Sequence, residues 1–516
     1  MVPSTSRPPM SEQGPSAPQV HRVPVEAENP LEEHANSVAD GILRAGLLWN
    51  LSLIHPVSEP YEYDRRTKWI ITGTVAFAAA TAPMSASIFY PAIPSMAQDF
   101  DVSQTIINLS VALFLLSSSI FPLWWSSFSE TLGRRAIFIS AFFLNIPLTF
   151  ACGMGPNVAF LIAFRLLSGS ASSAGQAVGA GTIADIWRPE ERAFAMSIFY
   201  LGPLAGPLFL PLVGGALTQR FGWRSIIWFL TAQGVLVLLL IVIALPETKQ
   251  APKSGSMQLP VPVEVIQDSS VSPSLRNHPL ILPFTSVAAL RFPAIAIAIF
   301  CAALAFGSCY VLNISMQAAF SQPSYSYSPT IVGLLFIPNS VGCIIVSVFG
   351  GRWVDRIMVQ AAEKAARYDD NGRLTYLPED RLGPNAWISL ALYPASLVAY
   401  GWMVQKGVHW VAPSIASFFF GGGVMMVFSA TTTMAAEFIP GNSSTGVALN
   451  NLIRNIFSCV GTFATQPLLD VMGHGWLFTM VGLVAWLSGY AGIFILKRNS
   501  TKWRKKMEKS WEKATR

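Results

Sequence analysis

The chain has 516 residues, of which 52% are hydrophobic and only 12% charged, with a formal net charge of +6. Soluble domains are roughly 25% charged, so this composition and a mean hydropathy of +0.46 exclude an ordinary soluble protein. Apolar runs of about 20 residues, enough to cross a bilayer, recur along most of the chain. The short alternating segments of a β-barrel are not seen, which leaves an all-α, polytopic membrane protein.

Residues 1–66 are rich in Pro, Ser and Glu and read as a largely disordered cytoplasmic arm. They lack the basic and apolar regions of a cleaved signal peptide, so the first span is expected to act as the targeting signal. Twelve spans follow, at about 69–91, 106–127, 135–154, 157–183, 194–217, 225–245, 293–316, 329–350, 386–405, 409–433, 444–469 and 475–496. They group into a six-helix bundle over 67–248 and a second over 293–498, joined by a cytoplasmic linker over 249–292 and closed by a basic cytoplasmic tail over 499–516. That tail is expected to meet anionic inner-leaflet lipid. Short loops with excess Lys and Arg stay cytoplasmic. Arg65, Arg66 and Lys68, then Arg134 and Arg135, Arg188 and Arg192, Lys249 and Lys253, and Arg352 and Arg356 all fall on one side. Both termini are therefore expected in the cytoplasm.

The five cysteines, Cys152, Cys301, Cys309, Cys343 and Cys459, lie in or beside apolar spans. They show neither metal spacing nor a disulfide framework and read as small buried hydrophobes. With no Gly-rich phosphate loop and no His/Cys/Asp cluster of metal spacing, an enzyme, a resident metal, a cofactor and a nucleic-acid partner are not expected.

Two arginines stand out. Arg165 lies in the fourth span and Arg454 in the eleventh, and no Asp or Glu occupies the middle of any span. A charge at membrane depth is costly and usually faces a cavity. Two fixed cations without carboxylates favour an anion, which an arginine fork pairs with bidentately. Asn450 and Asn451 lie one turn before Arg454; Gln176 lies about three turns from Arg165; Asn145 and Asn313 are further polar candidates. Each amide has a structural alternative, an interhelical hydrogen bond.

A weak internal repeat links the halves. Ser126-Ser-Phe-Ser-Glu130-Thr-Leu-Gly133-Arg134-Arg135 follows the second span, and Gly351-Arg352-Trp-Val-Asp355-Arg356 follows the eighth. At these residues the chain resembles the major facilitator superfamily. The first segment is similar to its cytoplasmic loop motif Gly-x-Leu-x-Asp-Arg-x-Gly-Arg-Arg, with departures at Ser126, Glu130 and Thr131. Arg165-Leu-Leu-Ser-Gly169 resembles the fourth-helix motif, and Gly202-Pro203-Leu-Ala-Gly206-Pro207 the fifth-helix motif of antiporter branches. Leu245-Pro-Glu-Thr248, Pro378-Glu-Asp-Arg-Leu382 and Asn450-Asn451-Leu-Ile-Arg454-Asn455 look like the fungal twelve-spanner drug:H⁺ antiporter family, which also holds a branch exporting citrate and itaconate.

The resemblance implies the major facilitator fold, two pseudo-symmetric six-helix bundles, and a monomeric multi-pass transporter of the plasma membrane. The leading expectation is alternating-access export of a small organic di- or tricarboxylate held by Arg165 and Arg454. The alternative is a polyspecific drug:H⁺ antiporter; a receptor or scaffold on the same fold is a third. Glu130, Arg134, Arg135, Asp355 and Arg356 are expected to act as a conformational switch, with Gly202, Pro203, Gly206 and Pro207 flexing the fifth helix. Asp185 and Glu437 are the candidates for proton coupling, if protons are coupled at all.

Overall fold

The computed structural model describes residues 60–248, 290–368, 383–437 and 443–515, with a few isolated positions besides. The expected arm over 1–66 and linker over 249–292 fall almost wholly outside the described residues. Every long element is a helix, as it must be where hydrocarbon offers backbone groups no other partner.

The first half contains α1 (Arg65–Ser87), α2 (Gln104–Ile120, continued as Pro122–Leu132), α3 (Arg134–Met154), α4 (Val158–Ser172, continued as Ala174–Ile186), α5 (Pro189–Phe221) and α6 (Arg224–Ala244). The second contains α7 (Pro293–Ser321), α8 (Pro329–Leu335, continued as Ile337–Lys364), α9 (Pro384–Gln405) and α10 (Val411–Glu437). A last helical run, Ser443–Thr515, is divided by Gly473 at φ 73°, ψ 173°, giving α11 (443–472) and α12 (474–515). Ten stretches meet the length and apolarity of a membrane span. With α5 and the division at Gly473, twelve long helices are counted among the described residues.

Local chemistry sets several starts. Asp64 accepts from the Arg66 amide ahead of α1, and Asn157 from the Phe160 amide ahead of α4, each satisfying an orphan donor of the first turn. Proline opens α5, α7, α8 and α9, where its missing N–H costs nothing.

Packing obeys the six-helix repeat. α1 lies along α5, α2 along α4 and α3 along α6; α7 lies along α11, α8 along α10 and α9 along α12. The halves meet through α5 with α8 and through α2 with the Ser443–Thr515 run, whose α11 is the partner that the repeat assigns.

Two differences from the sequence expectations are physical. The segments read as loops after the second and eighth spans are helical, because Pro122–Leu132 and Ile337–Lys364 carry their helices past the apolar run. The first motif turns only at Gly133, whose φ of 94° is closed to most side chains. The expected tail over 499–516 likewise continues α12 as helix through Thr515.

The face that bears Arg134, Arg135 and Arg188 is called the basic face. On the opposite face, connections are tied by Arg224 Nη1 to Asp99 Oδ2 (2.7 Å), Thr330 Oγ1 to Gln219 Oε1 (2.6 Å) and Tyr325 Oη to the Val408 carbonyl (2.6 Å). The contact between halves lies toward that face. α2 joins it through its first segment and α5 mainly through Pro329–Leu335. A methyl at Gly215 would overlap the Pro329 carbonyl, and one at Gly333 the Pro211 carbonyl. Tyr90 stacks on Phe336 at 5.6 Å and 10°, and Ser340 Oγ donates to the Pro207 carbonyl at 3.4 Å. Toward the basic face Tyr200 of α5 is exposed and Arg454 half-exposed.

Candidate functional site: two aromatic-covered arginines

Arg165 sits two turns into α4, nearer the opposite face. Its side chain is buried. Nη1 donates to the Ser85 carbonyl (3.1 Å) and hydroxyl (3.0 Å) on α1. Its carbon Cζ lies 4.1 Å from the ring centroid of Phe89 and 4.3 Å from that of Phe114, distances at which the ring quadrupole attracts a cation. Nε and Nη2 have no hydrogen-bond partner. These two nitrogens form one edge of the guanidinium, the geometry that meets a carboxylate with two parallel bonds.

Arg454 stands three turns into α11, nearer the basic face. Cζ lies 4.2 Å from the Phe306 ring centroid on α7 and 5.2 Å from that of Phe428 on α10. Its Nε has no partner, and its charge interacts with Tyr310 of α7 and Tyr200 of α5. Tyr90 and Tyr310 lie within electrostatic range of each other and of Arg165 and Arg454 respectively. The Tyr90 hydroxyl lies beside the Asn313 amide and interacts with both Arg165 and Tyr310. The sequence-predicted Arg165, Arg454 and Asn313 are therefore brought to one central region, reached by helices of both halves. Among the described residues neither arginine has a carboxylate partner.

The other amides have different surroundings. Asn450 is buried and donates to Thr432 Oγ1 of α10 at 3.0 Å, tying α11 to α10 one turn from Arg454; Asn451 is half-buried beside it. Asn145 accepts from Thr149 at 3.4 Å and lies against Gly234, on the α3–α6 face. Gln176 is half-buried in the second segment of α4, beyond the break at Ser173. A methyl at Gly202 would overlap the Ala76 carbonyl of α1, and one at Gly206 would come within 2.9 Å of the Met84 amide. The proline-bearing stretch with Pro203 and Pro207 is thereby pressed onto α1 within one continuous helix.

The basic face carries a second cluster. Arg134 Nε donates to Asp185 Oδ2 at 3.0 Å and Nη1 to Ser129 Oγ at 2.6 Å. The backbone amides of Arg134 and Arg135 donate to Glu247 Oε1 and Oε2 at 2.9 and 3.1 Å. Arg135 also donates to the Val242 carbonyl of α6 and to the carbonyl of Leu245 just past its end. Asp185, a candidate for proton coupling, is thus the ion-pair partner of Arg134. Glu247 was not among the candidates, although the Leu245–Thr248 motif was the available signal. Arg356 is exposed on α8. The side chains of Glu130, Asp355 and Glu437 lie outside the described residues. Also missed from sequence were Ser85, Phe114, Phe306, Phe428 and Tyr200, whose apolar surroundings look like any other span.

A family profile described as Major Facilitator Superfamily matches residues 75–462. Among curated proteins, the chain is 30% identical to the MFS antiporter QDR3 of Candida albicans, over 89% of this chain and 81% of that protein. It is 42% identical to the MFS transporter OpS2 of Beauveria bassiana, over 66% of this chain and 99% of that protein. It is 29% identical to quinidine resistance protein 3 of Saccharomyces cerevisiae, over 89% and 86%. Among solved structures, a bacterial homolog of the human lysosomal transporter Spinster, crystallised inward-facing and unoccupied, aligns with a TM-score of 0.54 at 14% identity, over 88% of this chain and 99% of that one. The chain belongs to the major facilitator superfamily and is a multi-pass secondary transporter of a small molecule, similar to fungal drug-resistance antiporters.

Proposed function

We propose that the chain exports small organic carboxylates across the plasma membrane by alternating access. Citrate- and itaconate-type di- or tricarboxylates, the acids that the sequence resemblance suggests, are the first probes. The observation that supports this reading is the unpartnered Nε–Nη2 edge of buried Arg165. A buried charge without a partner is strongly unfavourable, and a ligand carboxylate supplies that partner.

The basic face is taken as cytoplasmic, following the Lys and Arg bias. The halves touch toward the opposite face, so an anion enters from the cytoplasm and meets half-exposed Arg454 first. Rocking of the halves about the site then opens the far side, where Arg165 lies. Negative cytoplasmic potential drives an anion outward by about 2.3 kcal/mol per charge per 100 mV, so efflux needs no titrating carboxylate in the pathway. Asp185 and Glu437 remain the coupling candidates where a pH gradient contributes.

A second reading, a polyspecific drug:H⁺ antiporter, is favoured by the names of the relatives, which include an antiporter and a quinidine resistance protein. Efflux of labelled citrate, itaconate and quinidine from proteoliposomes, with potential and pH gradient imposed separately, separates the two. The carboxylate reading expects saturable, potential-driven acid flux that Arg454→Ala abolishes while the variant still elutes as a folded protein. Unchanged acid flux in Arg454→Ala would sink it.

A further inference from the structure

We infer that the preferred anion is a hydroxylated aromatic monocarboxylate rather than a citrate-type acid. This rests on the organic-carboxylate reading above and names the substrate class within it. Three observations carry it.

The first is the supply of charge. Arg165 and Arg454 lie toward different ends of the site and are linked through Tyr90 and Tyr310 rather than placed side by side. Arg165 offers one unpartnered edge, Nε and Nη2, and Arg454 its Nε. A tricarboxylate would bring three charges and leave at least one unpaired against an aromatic lining, where desolvated charge is penalised. A single carboxylate, drawn in past Arg454, is then held by the Nε–Nη2 edge of Arg165.

The second is the lining. Phe89 and Phe114 cover Arg165, Phe306 and Phe428 cover Arg454, and Tyr90 and Tyr310 lie within electrostatic range of Arg165 and Arg454 respectively. Citrate has no apolar body to place against these rings. A flat aromatic ring matches them through stacked or edge contacts.

The third is an orphaned acceptor. Asn313 is buried, with its amide beside Tyr90, and its Oδ1 has no hydrogen-bond partner. An unfilled buried acceptor favours a ligand that donates there and discriminates against one lacking the donor. Carboxylate on Arg165, ring between the tyrosines and hydroxyl on Asn313 together describe an acid of the 4-coumarate type.

The test is counterflow of labelled 4-coumarate, cinnamate, citrate and quinidine into proteoliposomes at pH 8, with leak into protein-free vesicles subtracted. The expected result is saturable 4-coumarate flux at least about tenfold above citrate by kcat/KM. Asn313→Leu should weaken 4-coumarate about 5- to 10-fold and leave cinnamate, which lacks the hydroxyl, unchanged. Should that variant misfold, Phe306→Leu serves, with an expected fall of about 3- to 10-fold for both aromatic acids and a smaller one for citrate. Citrate flux equal to or above that of 4-coumarate overturns this inference and leaves the carboxylate reading standing. Quinidine flux without flux of any acid overturns both.

Discussion

Arg165 and Ser85 are joined through a single guanidinium nitrogen, Nη1, which donates to both the carbonyl (3.1 Å) and the hydroxyl (3.0 Å) of Ser85. One bond pair fixes α4 to α1 and orients the ring-covered head, while the Nε–Nη2 edge is buried without a hydrogen-bond partner. Anchoring to α1 thus uses one side of the group, and the proposed ligand recognition would use the other.

That division predicts different outcomes for two substitutions. Arg165→Lys keeps a charge but loses the planar fork, so substrate affinity should fall by more than about tenfold with normal surface expression. Ser85→Ala removes only the hydroxyl acceptor, and affinity should fall by a few-fold, the worth of one charged hydrogen bond in part replaced. Transport kinetics on both variants, with surface biotinylation as the control, checks the order.

The seal between α5 and α8 depends on absent side chains. Gly215 and Gly333 each sit where a methyl would overlap a carbonyl of the other half. Gly215→Ala and Gly333→Ala should therefore disfavour the described state and populate the one open on the opposite face. Labelling of Thr330→Cys by a membrane-impermeant maleimide should rise several-fold in either background, since the shift follows the differential cost between states. Unchanged labelling would show that the seal yields elsewhere.

Glu247 acts as a remote cap for α3. Its two oxygens accept from the first two backbone amides of that helix, Arg134 and Arg135, where orphan donors and the positive end of the dipole coincide. Glu247→Ala should cost about 1–2 kcal/mol and lower the melting temperature, measured on purified protein. Glu247→Gln should recover part of the loss, because the amide oxygen still accepts one bond.

Asn145 and Gln233 provide a contrast between packing and binding. Asn145 lies on the α3–α6 face, and Gln233 Nε2 donates to Thr81 Oγ1 of α1 at 3.0 Å. Asn145→Ala and Gln233→Leu should each destabilise by about 1 kcal/mol while leaving KM within about twofold. A tenfold rise in KM for Asn145→Ala would return that residue to the binding site.

The spans, the repeat and the two charged positions were legible in the sequence because they depend on local quantities. Hydropathy over about 20 residues selects a span, and an arginine inside one is conspicuous wherever the chain later places it. The surroundings of those arginines were hidden. Phe114 and Phe306 are aromatic residues in apolar runs, and nothing in their own neighbourhoods separates a ring over a guanidinium from one facing lipid. Trp228, by contrast, is exposed and packs on Phe150 at the bundle surface.

Sequence alone determined that this chain is helical, crosses a membrane repeatedly and places two arginines within its spans without intramembrane acids. Tertiary structure alone decided that Arg165 leans on Ser85, that Arg134 and Arg135 share Glu247 across more than a hundred residues, and that α5 closes on α8. The reason is one of range. Partition into lipid is set residue by residue along the chain. A hydrogen bond or ring contact forms only where two distant helices are brought within a few ångströms, and their packing, not their composition, fixes which residues meet.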